Sequence, residues 1–284
     1  MSAASSPLPP IAFLGAGAMG GAIIRGLAVA GDAGFVGGLE HAIRAVNRTE
    51  SKAAELRELG VTSLAYDTRD DATPTALAGA KLVVLGVKPA GIPGILEEIR
   101  DWLEPDAVIV SIAAGVTVAT MEALVPHAVV RTMPNTPSLV RRGVTGIAPG
   151  GRASTEEVAL VSRVFEAVGE VLVLPESQID ALSAISGSGP AYVYFLIEQL
   201  TVAARRLGFD DAAARRLAEG TFVGAGALLE AGGEDPAELR RRVTSPKGTT
   251  ERAIAVLEDA DLAGLFARAA AAAIARAREL AAGG

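Results

Sequence analysis

The segment I-A-F-L-G-A-G-A-M-G-G at residues 11–21 constrains the fold more than any other. A short apolar run, Ile11 to Leu14, reads as a strand. Gly15, Gly17 and Gly20 follow in the spacing G-x-G-x-x-G, and residues 22–28 continue as an apolar helical pattern. Strand, glycine turn and helix in that order form the context that a dinucleotide fingerprint requires. Gly15 permits the tight turn, Gly17 leaves room for a pyrophosphate, and Gly20 lets the helix lie close to the strand. Unpaired N–H groups at the helix start then face the phosphates. The plainer alternative is a glycine-rich turn in an α/β protein that binds no nucleotide.

The 284 residues, half of them hydrophobic, suffice for one or two domains with a core. A net charge of −7 gives no reason to expect nucleic acid or an anionic membrane as partner. Cysteine is absent, which excludes disulfides, thiol chemistry and thiolate metal sites. With His41 and His127 as the only histidines, no metal site is expected either. Residues 1–10 lack the basic and apolar regions of a signal peptide and read as a disordered arm. Residues 263–282 are apolar but carry Arg268, Arg276, Arg278 and Glu279, so they read as an alanine-rich helix rather than a membrane span. A cytoplasmic protein is expected.

A glycine-rich loop is expected at residues 31–40, then a second strand at 42–46 ending in Asn47, Arg48 and Thr49. This point lies about 27 residues beyond Gly20, where a cofactor's ribose is met. An acidic residue here would select NAD. Asn47 and Arg48 stand instead, with Thr49 and Lys52 close by, and a guanidinium can bind a 2′-phosphate bidentately. NADPH is therefore the expected cofactor, with NADH as the alternative. Further buried strands read at 81–87, ending in Lys88 and Pro89, and at 107–112, followed by the small residues Ala113, Ala114 and Gly115. A strand at 128–132 leads to Met133-Pro134-Asn135-Thr136-Pro137, where two prolines fix a loop presenting Asn135. The last strands fall at 146–148 and 170–174. Beyond residue 175 the pattern is helical: 176–185, a break at Ser186-Gly187-Ser188-Gly189-Pro190, then 191–207, 210–230, 236–243, 249–257 and 261–280. The expected domains are 11–175 for the dinucleotide and 176–284 for substrate and dimerisation.

Six motifs occur in order: G-A-G-A-M-G, V-K-P, A-A-G, M-P-N-T-P, S-G-S-G-P-A-Y and V-T-S-P-K-G-T-T. Together they resemble pyrroline-5-carboxylate reductase, the last enzyme of proline synthesis, over nearly the whole chain from Ile11. The resemblance implies a Rossmann-type α/β domain. It also implies an all-α C-terminal domain, like that of 6-phosphogluconate dehydrogenase, that forms homodimers. The active site is implied between the domains, and larger assemblies of dimers are common in the family. It implies cofactor contacts from Gly15, Ala16, Gly17, Ala18, Met19, Gly20, Arg48, Thr49, Val87, Lys88, Pro89, Ala113, Ala114, Gly115 and Asn135. It implies that Ser245, Thr249 and Thr250 hold the substrate, with Thr250 as the proton source. The sequence departs from the family pattern at Lys247, where the loop usually has glycine. A family asparagine before the strand at 82–87 is also not evident, the region reading Asp70-Asp71-Ala72-Thr73. The loop at 31–40 is unusual.

The residue inventory agrees with imine chemistry. A ketone reductase positions Lys, His or Tyr to protonate an alkoxide. The helical half offers no histidine, and its motifs present hydroxyls and backbone: Ser186, Ser188, Gly189, Thr244, Ser245, Gly248, Thr249 and Thr250. A hydroxyl is a poor general acid, yet it orients an iminium N–H. The substrate expected is therefore a cyclic imino acid, its carboxylate held by N–H groups at the helix start near Gly248. Two rivals remain. A hydroxy acid dehydrogenase of the same architecture would carry a lysine in the first long helix, and residues 176–207 contain none. A non-catalytic NADP sensor would have no need of the loop at 245–250.

Overall fold

The computed structural model describes residues 7–30 and 38–281, so most of the loop expected at 31–40 lies outside the described residues. The chain forms two compact units. One runs to Gly187 and includes the residues from Ile274 onward; the other spans residues 188–273.

Among the described residues, the first unit is built on eight strands: β1 (Ile11–Leu14), β2 (Ile43–Asn47), β3 (Thr62–Ala65), β4 (Leu82–Leu85), β5 (Val108–Ser111), β6 (Ala128–Met133), β7 (Gly143–Pro149) and β8 (Gly169–Val173). Their spatial order is β3-β2-β1-β4-β5-β6-β7-β8. The strands β1 to β6 are parallel; β7 is antiparallel to β6, and β8 is parallel to β7. This is the Rossmann order, and the winding reverses at β1, which makes a crevice at the carboxyl ends of β1 and β4.

Successive side chains of a strand point to opposite faces. Ile11, Phe13, Leu82, Val84, Val108 and Val110 accordingly enter one core layer, while Ala12, Leu14, Val83, Leu85 and Ile109 enter the other. Helices Ala18–Ala30 and Thr155–Glu166 close the first layer; Ala72–Leu77, Ile92–Ile99 and Val118–Glu122 close the second. A strand covered on both sides is apolar throughout, which is why these strands were legible as continuous runs.

Three expectations change. Leu8 is buried in the first layer, and the Pro10 carbonyl accepts the Lys81 N–H at 2.9 Å, so the expected disordered arm does not include residues 8–10. Helix Ala72–Leu77 was not foreseen, because A-T-P-T-A-L is short and contains a proline; burial of Ala72, Ala76 and Leu77, on one helical face, holds it. The compact unit also extends past residue 175 to Gly187. The composition changes where β8 ends, but Ile179 and Leu182 pack so closely on Gly146 of β7 that a Cβ there would meet them at 3.2 Å and 2.7 Å.

The second unit contains helices Gly189–Arg206, Asp211–Gly232, Pro236–Arg242 and Thr249–Asp259, and the first part of Leu262–Ala281. The two long helices pack against each other. Asp210 caps the second, accepting the Ala213 N–H at 2.8 Å. Among the described residues, no helix is long and apolar enough to cross a membrane.

Candidate active site

The turns after β1 and β4 meet at the crevice. The Gly15 N–H donates to Val46 O at 2.9 Å, and the Gly86 N–H to Leu14 O at 2.8 Å. Gly15 has a φ of +88°, and a Cβ on it would stand 3.0 Å from the Gly86 carbonyl carbon. A Cβ on Gly20 would stand 3.1 Å from Gly15 O. Gly15 is therefore required by the fold itself, and Gly20 stands in tight contact with it. Gly17 differs: among the described residues, a Cβ there would meet no protein atom within 4 Å. Its missing side chain leaves open space at the start of helix Ala18–Ala30. The helix's first closed turn is Gly21 N–H to Gly17 O at 2.8 Å. The N–H groups of Ala18, Met19 and Gly20 have no intrahelical partner by helix geometry. Open space beside unpaired donors at a helix start fits a dinucleotide pyrophosphate.

Residues Asn47, Arg48 and Thr49 stand at the carboxyl end of β2 and divide in role. Asn47 is buried, and its amide donates to Ser63 Oγ at 3.2 Å, so its side chain ties β2 to β3. Arg48 is exposed and makes no ion pair among the described residues. Thr49 is the N-cap residue of helix Glu50–Arg57, and its hydroxyl lies 3.2 Å from Ser51 Oγ. In the region where the family asparagine was sought, Asp71 is bound by Arg69 at 2.6 Å and 2.8 Å. Those hydrogen bonds draw its carboxyl down to about 2.

The other expected cofactor residues stand at the same sheet edge. Beyond β4, Val87 is half-buried and Lys88 faces solvent, while Pro89 opens a 3-10 turn. β4 ends at Leu85, earlier than the proline suggested. Beyond β5, Ala113 is buried, Ala114 is exposed and Gly115 has a φ of +78°. Thr132 Oγ1 donates to Ser111 O at 3.0 Å, which fixes the end of β5 against β6. Asn135 is buried and committed: its Nδ2 donates to Ser186 O at 2.9 Å, and its Oδ1 accepts the Val144 N–H at 2.8 Å. Its side chain is thus a clamp between three segments.

The motif S-G-S-G-P interrupts the helix as expected, through a π-helical turn at Ser183–Gly187 and Ser188 at the N-cap position of the next helix, Gly189–Arg206. Such single turns occur often at functional sites. Ser186 belongs to the sheet-bearing unit, with its hydroxyl donating to Leu182 O at 3.1 Å; Ser188 and Gly189 begin the helical unit. Sequence reasoning missed Arg131 of β6, which anchors this segment. Its side chain is 6% exposed and binds Glu176 at 3.2 Å and Asp180 at 2.9 Å. Glu176 also accepts the Val118 N–H at 2.8 Å. A lone arginine inside the apolar strand A-V-V-R-T-M was the available signal, because a buried charge needs a partner.

In the helical unit, Ser245 to Thr250 form a tight turn into helix Thr249–Asp259. The Gly248 N–H donates to Ser245 O at 2.9 Å, and a Cβ on Gly248 would stand 2.9 Å from that same oxygen. Lys247 is exposed at a φ of +59°, with its N–H donating to Glu251 Oε2 at 2.5 Å. Gly248 occupies the N-cap position, and no side chain caps the helix. The N–H groups of Thr249 and Thr250 have no intrahelical partner by helix geometry. Ser245 and Thr249 are exposed and Thr250 is half-buried.

Known proteins match the chain over its length. A family model described as pyrroline-5-carboxylate reductase dimerisation matches residues 176–280, and one described as NADP oxidoreductase, coenzyme F420-dependent, matches residues 10–115. The pyrroline-5-carboxylate reductase of Pseudomonas aeruginosa is 39% identical, over 96% of this chain and 97% of its own. A solved pyrroline-5-carboxylate reductase from Coxiella burnetii superposes with a TM-score of 0.87 at 37% identity, covering 96% of this chain and 98% of that one. A Plasmodium falciparum pyrroline carboxylate reductase, solved with NADP bound, shares the fold at a TM-score of 0.77 and 23% identity, covering 96% and 98%.

Proposed function

The chain belongs to the pyrroline-5-carboxylate reductase family, and on that premise we propose that it reduces 1-pyrroline-5-carboxylate to L-proline with NADPH. The substrate is a cyclic imine that carries a carboxylate. When bound, NADPH supplies a hydride to the C=N carbon; a proton on nitrogen completes the amine.

The protein's own residues bind, orient and protonate. The pyrophosphate is assigned to the N–H groups of Ala18, Met19 and Gly20, over the space that Gly17 leaves free. Arg48 and Thr49, with Lys52, are assigned to the 2′-phosphate; Arg48 is exposed and unpaired among the described residues. Ala113, Ala114 and Gly115, with Val87 to Pro89, offer small or turn-forming residues at the strand ends, where a cofactor lies against backbone. Asn47 and Asn135 are assigned positioning roles, since Asn135 bonds through both amide ends and Asn47 through its Nδ2 within the fold.

The observation that carries the substrate half is the uncapped start of helix Thr249–Asp259. Its N–H groups and dipole suit a carboxylate. The hydroxyls of Ser245, Thr249 and Thr250 then orient the ring, and Thr250 relays a proton from water to the imine nitrogen, its own hydroxyl being restored by that water. Because an iminium accepts hydride readily, positioning the two reactants supplies most of the rate, about 7–11 kcal/mol in favourable cases. A steady-state assay with pyrroline-5-carboxylate tests this reading: NADPH at limiting concentration is consumed faster than NADH. Faster turnover with NADH would overturn the role of Arg48.

We propose further that two or more copies associate through the helical unit. Within residues 188–273 the buried side chains are Thr201, Ala204, Ala214 and Ala218, whereas Val223 is 71% exposed and Val256 69%. Apolar faces this open need a partner. Sedimentation at micromolar concentration is expected to give a mass of at least two chains; a monomer would contradict it.

A further inference from the structure

Helix Glu50–Arg57 does not cap itself. Thr49 occupies the N-cap position with extended backbone, but its side chain bonds no backbone N–H of the helix. The Glu50 N–H is taken by Asp67, whose Oδ2 accepts it at 3.2 Å from the turn after β3. Because β2 and β3 run parallel with Asn47 opposite Ala65, the segments 48–50 and 66–67 leave the same end of the sheet on neighbouring strands, with Asp67 against the Glu50 N–H. The charges of Arg48 and Asp67 differ in sign, and neither residue makes an ion pair among the described residues. Glu50, by contrast, is neutralised: Arg57 grips it at 2.5 Å and 2.8 Å, and that hydrogen bonding holds its carboxyl below the usual range. Asp67 is thus an uncompensated carboxylate seated on a helix start.

We propose that Asp67 sets the cofactor preference of this enzyme, resting on the reading that Arg48 and Thr49 meet the adenosine ribose. A 2′-phosphate carries up to two negative charges and would seek the same helix N–H groups and the same guanidinium. The Asp67 carboxylate already holds one of those N–H groups and repels the phosphate. A ribose without the phosphate meets no such penalty, because its hydroxyls can donate to the carboxylate. Arg48 and Asp67 therefore oppose each other: one draws NADPH in, the other limits its advantage over NADH.

The test uses the full chain without substrate, with 2′,5′-ADP and 5′-AMP as probes in a calorimetric titration. Asp67→Asn keeps an oxygen to accept the Glu50 N–H and removes the charge. It is expected to tighten 2′,5′-ADP by about 3- to 10-fold and to change 5′-AMP less than about twofold, a gap that narrows at high salt. Asp67→Ser, a second acceptor without charge, is expected to act in the same direction. The ratio of kcat/KM for NADPH over NADH rises in step. Equal changes for the two probes, or none in either variant, would overturn the proposal. Arg48→Ala separates the two levels. If it weakens 2′,5′-ADP while the Asp67 variants change nothing, the Asp67 assignment alone falls. If neither residue matters, the placement of the ribose falls with it.

Discussion

A side chain on Gly86 would overlap the carbonyl oxygen of Gly15. These residues follow β4 and β1, the two strands that flank the reversal in winding, and their backbones close the floor of the crevice. Gly86→Ala is therefore expected to force the strand ends apart and to cost about 2–4 kcal/mol. Gly17→Ala is the contrasting variant. Its new methyl meets no atom of the described residues, so stability should change by less than about 0.5 kcal/mol, while NADPH binding weakens. Thermal unfolding and a cofactor titration on both variants check this. Normal NADPH binding by Gly17→Ala would place the pyrophosphate elsewhere.

The contrast shows what a sequence makes legible. The turn at Gly15 announces itself through the spacing of three glycines between a strand and a helix. Gly86 is as strictly required, but one glycine after an apolar run has no pattern. Its necessity arises from the register of β1 beside β4, which joins residues far apart in the chain. Strands covered on both faces were readable because burial makes them continuously apolar. Polar residues at strand ends were harder. Asn47 and Asn135 look like ligands in the sequence, yet Asn135 spends both ends of its amide on neighbouring segments and Asn47 its Nδ2. At Lys247 the left-handed backbone shows why the family pattern has glycine there.

Arg131 supplies a second test. It holds Glu176 and Asp180 from within β6, and so fastens the segment that carries the π-helical turn to the sheet. Arg131→Ala leaves two carboxylates beside an emptied site. The expected loss is about 2–4 kcal/mol, at the lower end because both acids keep some contact with water. Denaturant unfolding measures it. An unchanged midpoint would show that the anchor contributes nothing.

Thr250 separates chemistry from binding. It stands in the first turn of helix Thr249–Asp259 and is half-buried, whereas the residues assigned to the cofactor belong to the other compact unit. Thr250→Ala is expected to lower kcat by about tenfold or more and to leave the NADPH dissociation constant nearly unchanged. Thr250→Ser, which keeps the hydroxyl, should recover most of the rate. Turnover by Thr250→Ala at the level of the unaltered enzyme would remove this hydroxyl from proton transfer.

The most direct test of imine reduction follows the hydride itself. The purified protein is given pyrroline-5-carboxylate and NADPH carrying deuterium at both positions of nicotinamide C4, and the product is read by mass spectrometry and NMR. Proline bearing one deuterium at the former imine carbon is the expected result. Oxidised cofactor without labelled proline, or no reaction from folded protein that binds NADPH, would contradict the assignment of this chain as a pyrroline-5-carboxylate reductase.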